Sequence, residues 1–130
     1  MSSHPGIAAW HAYIDSESPE ALADLLADDA VFHSPVVHTP QVGKAKVMSY
    51  LLAAAQVLNG DGFRYVREVV DGENVMLEFV SELDGIQING IDLIHFDADG
   101  KIDDFKVMVR PLKAINKVWE MMGAQLQPAG

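Results

Sequence analysis

Residues 63–109 read FRYVREVVDGENVMLEFVSELDGIQINGIDLIHFDADGKIDDFKVMV. Four runs rich in Val, Ile and Phe stand out: Phe63–Val70, Asn74–Leu83, Ile86–Phe96 and Lys101–Val109. They are parted by Asp71-Gly72, Asp84-Gly85 and Asp99-Gly100. Asp-Gly accepts the left-handed backbone angles of tight hairpins, so the runs predict four successive antiparallel strands. In the second strand Leu77, Phe79 and Ser81 share one face, and Glu78 and Glu82 the other. Asn89-Gly90 interrupts the third run, and because the strand resumes at once it is expected to be a bulge.

Outward from this sheet the period changes. Ile7, Trp10 and Ile14 recur at helical spacing. Ser18-Pro19-Glu20 then reads as an N-cap, a first helical position and an acid at the positive helix end. Leu22, Leu25 and Leu26 form the stripe of this second helix, which Asp28-Asp29 is expected to end. Val31-Phe32-His33 is a short extended segment stopped by Pro35, and Val36–Gly43 reads as loop. Val47, Leu51, Ala54 and Leu58 predict a third helix, ended by Asn59-Gly60. Pro111 opens a last helix with Leu112, Ile115, Val118, Trp119 and Met122 as its apolar stripe. Helices segregated from an antiparallel sheet mean α+β. A twisted sheet with helices over its concave face tends to enclose a pocket.

The chain has 130 residues, one domain's worth, so residues 1–130 are expected to form a single domain. Nine basic residues against nineteen acidic ones give a net charge of −10, which repels phosphate. Nucleic acid and anionic membrane are therefore excluded as expected partners. There is no cysteine, which excludes disulfide scaffolds, thiolate metal sites and cysteine nucleophiles and fits a reducing cytoplasm. No apolar run approaches the roughly 18 residues of a membrane span. Met1–Gly6 has the charge and hydropathy of no secretory signal, and Gln125–Gly130 is a polar tail expected to fray.

The element order resembles the cone-shaped nuclear transport factor 2-like fold, which includes the SnoaL-like polyketide cyclases and the ketosteroid isomerases. Leu25–Phe32 is similar to that family's helix end entering its first strand, and Pro35–Gly43 to the following loop. Ile91–Ile102 resembles its strand, Asp-Gly turn and strand. The fold hosts isomerases, cyclases, hydrolases, dehydratases and non-enzymatic proteins, so the resemblance implies the fold more sharply than an activity. Ketosteroid isomerases hold an enolate between a Tyr and a protonated Asp, and use a second Asp as base. Laid over this chain, the protonated Asp falls on Asp92, the Tyr on Trp10 and the base on Ser34. Trp10 offers an N–H but no acidic hydroxyl, and Ser34 cannot abstract a carbon-bound proton unaided. The steroid isomerase mechanism is therefore not expected.

Asp92 stands mid-strand, where Asp is disfavoured, with the parity of Ile94 and Phe96. On a cavity face it would be a carboxyl with a raised pKa, able to donate near neutrality. On the other face it would be a solvated or structurally satisfied Asp. Trp10 and Tyr13, three apart on the first helix, could bring an N–H and a hydroxyl to a pocket, or simply pack in the core. The resemblance puts Ser34 and Phe32 on the cavity face and His33 away from it, unless a bulge before Pro35 reverses them. His33 is a catalytic candidate because imidazole titrates near neutrality, set against a surface role. His38 and His95 default to surface roles, and the histidines show no metal-ligand pairing such as HxxxH or HxH. Arg110-Pro111 reads as a junction with a surface ion pair. Met48, Met76, Met108, Met121 and Met122 suit adaptable packing, a plastic pocket or a sheet face used for pairing.

The catalytic candidates are thus Asp92, Ser34 and His33, and the ligand-binding candidates Trp10, Tyr13, Phe32, Ile94 and Phe96, with no cofactor and no metal. The expected function is a pocket for a small apolar molecule, in a cofactor-independent isomerase, cyclase or lyase using acid–base chemistry on a carbonyl-type substrate. A non-catalytic ligand-binding domain and an accessory or interaction subunit stay open. A homodimer through one sheet face is the expected assembly.

Overall fold

In the computed structural model, which describes residues 5–58 and 62–126, the chain runs α1 (Pro5–Ser16), α2 (Pro19–Leu25), β1 (Leu26–His33), β2 (Gln41–Val42), α3 (Lys44–Leu58), β3 (Arg64–Asp71), β4 (Asn74–Leu83), β5 (Ile86–Phe96), β6 (Ile102–Arg110) and α4 (Leu112–Leu126). The strands form one six-stranded sheet in the order β2-β1-β6-β5-β4-β3. The α+β class and the curled sheet with helices over its inner face are as the sequence predicts. One pair departs from antiparallel: β1 runs parallel to β6, which the long connection through β2, α3 and the β3–β5 strands allows.

The Asp-Gly turns lie where expected. At Asp84-Gly85 both residues have positive φ, 50° and 80°, and Leu83 pairs with Ile86 across them. That is the backbone of a two-residue hairpin matched to strand twist. Asn89-Gly90 is not a bulge: β5 stays in register with β4 and β6 through both residues. Gly90 faces inward opposite Phe79, and a Cβ there would lie 2.5 Å from the Phe79 ring. The glycine makes room for an aromatic ring from the neighbouring strand.

Ser18 caps α2 as predicted, its Oγ accepting the Ala21 N–H at 3.3 Å, with Pro19 at the first position. α2 ends earlier than Asp28-Asp29. Leu26 is already extended, and both aspartates lie exposed in an irregular part of β1, which pairs with β6 on either side of them. Tertiary pairing has overridden local helix propensity there. Within the expected loop, Gln41 and Val42 pair with Phe32 and Val31 as β2. The expected stop of α3 at Asn59-Gly60 lies outside the described residues. The buried Ser81 hydroxyl donates to the Leu58 carbonyl at 3.0 Å, satisfying an acceptor at that helix end.

In α4 the inward residues are Ala114, Val118 and Met122, whereas Leu112 and Trp119 are 70% and 62% exposed. The helix packs with a narrower stripe than its apolar residues suggest. It continues to Leu126, into the segment expected to fray. No helix among the described residues is long and apolar enough to cross a membrane.

Candidate functional site

Strand alternation places one carboxylate on the inner face. Leu77, Phe79 and Ser81 of β4 point inward, and Asp92 of β5 lies beside Leu77 with the inward parity of Ile88, Gly90, Ile94 and Phe96. Asp92 is 7% exposed. Beside it, helices and sheet leave a small apolar recess that is partly open to solvent. α1 contributes Trp10, Tyr13 and Ile14, and α3 contributes Leu51, Ala54, Ala55 and Leu58. The small Ala side chains favour the helix and leave volume beside it. Val118 and Met122 of α4 close one side, and Phe32, Phe79, Phe105, Val107 and Val109 line the sheet side.

A three-residue hydrogen-bond chain ends on Asp92. Trp10 Nε1–H donates to the Tyr65 hydroxyl at 3.0 Å, and that hydroxyl donates to Asp92 Oδ2 at 2.6 Å. Burial pushes the Asp92 carboxyl up from its ordinary 3.8 to about 7, against the opposing effect of the Tyr65 hydrogen bond. No Lys, Arg or His lines the recess among the described residues, so no cation there counters the loss of solvation. Tyr65 is held well above its ordinary value of 10, first by burial and then by the Asp92 charge, so it stays a hydroxyl. Tyr13 is also raised, by burial and then by Glu17. Its hydroxyl is buried without a hydrogen-bond partner among the described residues.

The structure brings Asp92, Trp10, Tyr13, Phe32 and Ser34 together around the recess. Ser34 Oγ accepts the Val36 N–H at 3.1 Å and meets no imidazole or carboxylate among the described residues, so nothing activates it as a nucleophile. Three candidates lie elsewhere. Ile94 and Phe96 are buried in the core rather than in the cavity wall. His33 points to the outer face of the sheet, where its Nε2 pairs with Asp104 at 2.9 Å. There β1 keeps strict alternation from Phe32 to His33, whose Cα partner is Lys106. His95 is also outward, 2.6 Å from Asp103, and that hydrogen bond raises its pKa. Arg110 donates to Asn89 Oδ1 at 3.0 Å on the surface.

Tyr65 was missed by sequence reasoning. The alternation of Phe63 and Tyr65 with Arg64 and Val66 held a signal, since two aromatics share one face. It could not show that β3, at the sheet edge, curls until Tyr65 meets both a helix and the β5 strand two places away. An irregularity in the β3–β4 register directly after Tyr65 accompanies that bend.

Known proteins share this fold. A steroid delta-isomerase from Pseudomonas aeruginosa is 38% identical over 97% of this chain and 93% of its own, with a TM-score of 0.89. An uncharacterised bacterial protein with a cystatin-like fold from Silicibacter pomeroyi is 30% identical over 95% of this chain and 86% of its own, with a TM-score of 0.87. A nuclear transport factor 2-like protein of unknown function from Mesorhizobium loti, 19% identical over 82% of this chain and 89% of its own, shares the fold at a TM-score of 0.70. No curated protein matches the sequence. The sequence pattern of the SnoaL-like domain matches residues 7–105, which run from within α1 into the first half of β6 and carry both ends of the Trp10–Asp92 chain, and the protein belongs to that family, on the nuclear transport factor 2-like fold.

Proposed function

We propose that the protein is a cofactor-independent acid–base catalyst, of the isomerase, cyclase or lyase kind, acting on a small apolar carbonyl compound. The observation that carries this reading is a carboxyl with a pKa of about 7, held at the foot of an apolar recess. A protonated group there stabilises charge as it develops on a carbonyl oxygen. The similar steroid delta-isomerase supports an enolising reaction class, without its base, because Ser34 stands where the resemblance puts that group. The α carbon–hydrogen bond then breaks with water as proton acceptor, its electron pair forms the carbon–carbon double bond, and the carbonyl oxygen takes the proton of the Tyr65–Asp92 pair, leaving Asp92 ionised until the water returns a proton. The test is NMR of α-proton exchange with heavy water in small ketones. Catalysed exchange is expected, falling by about 10²–10³ in Asp92→Asn. The lack of a second base in the recess among the described residues favours one further reading, a non-catalytic binding domain. Ketones that bind without exchanging would establish that instead.

We also infer that the outer sheet face pairs with a second copy. Val69, Leu93 and Met108 are 49%, 37% and 50% exposed there, and Val69, Met76 and Leu93 sit side by side across β3, β4 and β5. Arg67 and Lys106 on one hand, and Glu78 and Asp104 on the other, give that face both charges, as a two-fold pairing needs. Light scattering should give twice the chain mass for the wild type and the single mass for Leu93→Lys/Met108→Lys. A wild-type monomer at high concentration refutes the pairing.

A further inference from the structure

The Tyr65 hydroxyl has one proton and a fixed neighbour on one side. Trp10 Nε1–H always donates and never accepts, so it permanently occupies one acceptor site of the Tyr65 oxygen, at 3.0 Å. On the other side Asp92 Oδ2 lies at 2.6 Å, a separation at which either oxygen can be the donor. When Asp92 is ionised, Tyr65 must spend its proton on the carboxylate. This pair then offers the recess only acceptors: the second lone pair of Tyr65 and the other Asp92 oxygen. When Asp92 is protonated, it can donate to Tyr65. The Tyr65 oxygen is then saturated as an acceptor, and its own proton is released towards the recess.

We propose that Tyr65 is the residue that selects the ligand: its hydroxyl presents a hydrogen-bond donor to the recess when Asp92 carries a proton and an acceptor when it does not. The same recess then takes a ketone-type oxygen in one state and an N–H or O–H group in the other. This rests on the reading of the recess as a ligand site and names which group touches the ligand's polar end. The donor is Tyr65, supplied from β3, with Asp92 behind it as the proton source.

The other hydroxyls facing the recess, of Tyr13 and Ser34, make no hydrogen bond to Asp92, so its proton does not change what they offer. α1 brings Trp10 and Tyr13, and the segment after β1 brings Ser34; the lining residues of α3, α4 and β6 are apolar. Tyr13 and Tyr65 are both raised above the ordinary tyrosine value, which leaves Asp92 as the group in the recess that titrates near neutrality. Behind the Tyr65 ring, His11 meets it edge-on at 5.7 Å and pairs with Glu68 at 3.1 Å. His11 is the imidazole that a test must separate from Asp92.

The test uses three neutral probes of similar size: acetophenone, an acceptor; aniline, chiefly a donor; and toluene, neither. Each is titrated about one pH unit below and one above the Asp92 midpoint, followed in ¹H–¹⁵N spectra through the Trp10 indole N–H. Across that interval the protonated fraction of Asp92 falls about tenfold, so acetophenone should bind about tenfold more weakly at the higher pH. Aniline should bind about tenfold more tightly there, and toluene should not change. In Asp92→Asn the pH dependence should vanish for both polar probes. In Tyr65→Phe acetophenone should lose its advantage over toluene, while toluene still binds. In His11→Gln the pH dependence should persist. If toluene binds but the polar probes ignore pH, or if their pH dependence disappears with His11, the proposal is overturned while the pocket stands. If no probe binds at either pH, the pocket reading fails and the proposal with it.

Discussion

Replacing Asp92 by Asn should abolish a contribution to stability that falls by about 4 kcal/mol in the wild type as pH rises from 4 to 8. The folded carboxyl holds its proton up to about 7, whereas the unfolded chain releases it near 3.8. Between those values the native state binds more protons than the unfolded state. Stability contributed by this group is fully present below the lower value and lost as pH rises through the higher one. The size follows from a shift of about three units at about 1.4 kcal/mol per unit. Asn has no proton to lose, so the variant's curve should lack this slope, whatever uniform cost its packing adds. Urea midpoints of both proteins between pH 4 and 8 check it. The other carboxylates titrate in both proteins and cancel in the difference. Parallel curves would mean that Asp92 is ionised in the folded state at all these values, and that the recess is wetter than its lining implies.

A second large effect is expected where Phe79 crosses Gly90. Phe79 is buried, opposite Gly90 on the neighbouring strand, with its ring stacked on Phe63 at 5.4 Å and edge-on to Tyr65 at 6.5 Å. Phe79→Ala should cost about 3–5 kcal/mol through lost burial and the cavity left behind. Gly90→Ala should cost about 1–3 kcal/mol, because its new Cβ would lie 2.5 Å from that ring and 2.7 Å from the Met108 carbonyl oxygen. The two costs should not add. With the ring gone, only the Met108 carbonyl still crowds the methyl group, so Gly90→Ala should be cheaper in the Phe79→Ala background. Denaturant unfolding of the four proteins of this cycle measures the coupling. Additive costs would show that the strands separate to admit the methyl group rather than press it against the ring. Loss of the ring also removes a wall of the recess beside Tyr65, which links packing at this crossing to the position of the hydroxyl.

The elements legible in the sequence are those fixed by local chemistry. Asp84-Gly85 turns where its backbone angles demand, and Ser18-Pro19 starts α2 because the cap and the ring need only near neighbours. The same dipeptide logic failed at Asn89-Gly90, where the glycine answers to a ring from another strand. It failed again at Asp28-Asp29, where pairing with β6 takes the chain out of helix. Trp119 fits the helical period yet faces outward, since the period gives a stripe and not its width.

By itself the sequence determined the α+β order, the Asp-Gly turns, the face that Asp92 shares with Ile94 and Phe96, and the resemblance that pointed to Trp10 and Ser34. Parity repeats every two residues along a strand, so it can be read without knowing the neighbours. Only the tertiary structure decided that Asp92 is buried with no cation beside it among the described residues, and that Tyr65, 27 residues before it in the chain, donates to it. It alone also set His33 against Asp104 on the outer face, and Ile94 and Phe96 in the core. A hydrogen bond between strands two places apart depends on how far the sheet curls, and that curl is the sum of packing across the whole sheet, which no local spacing encodes.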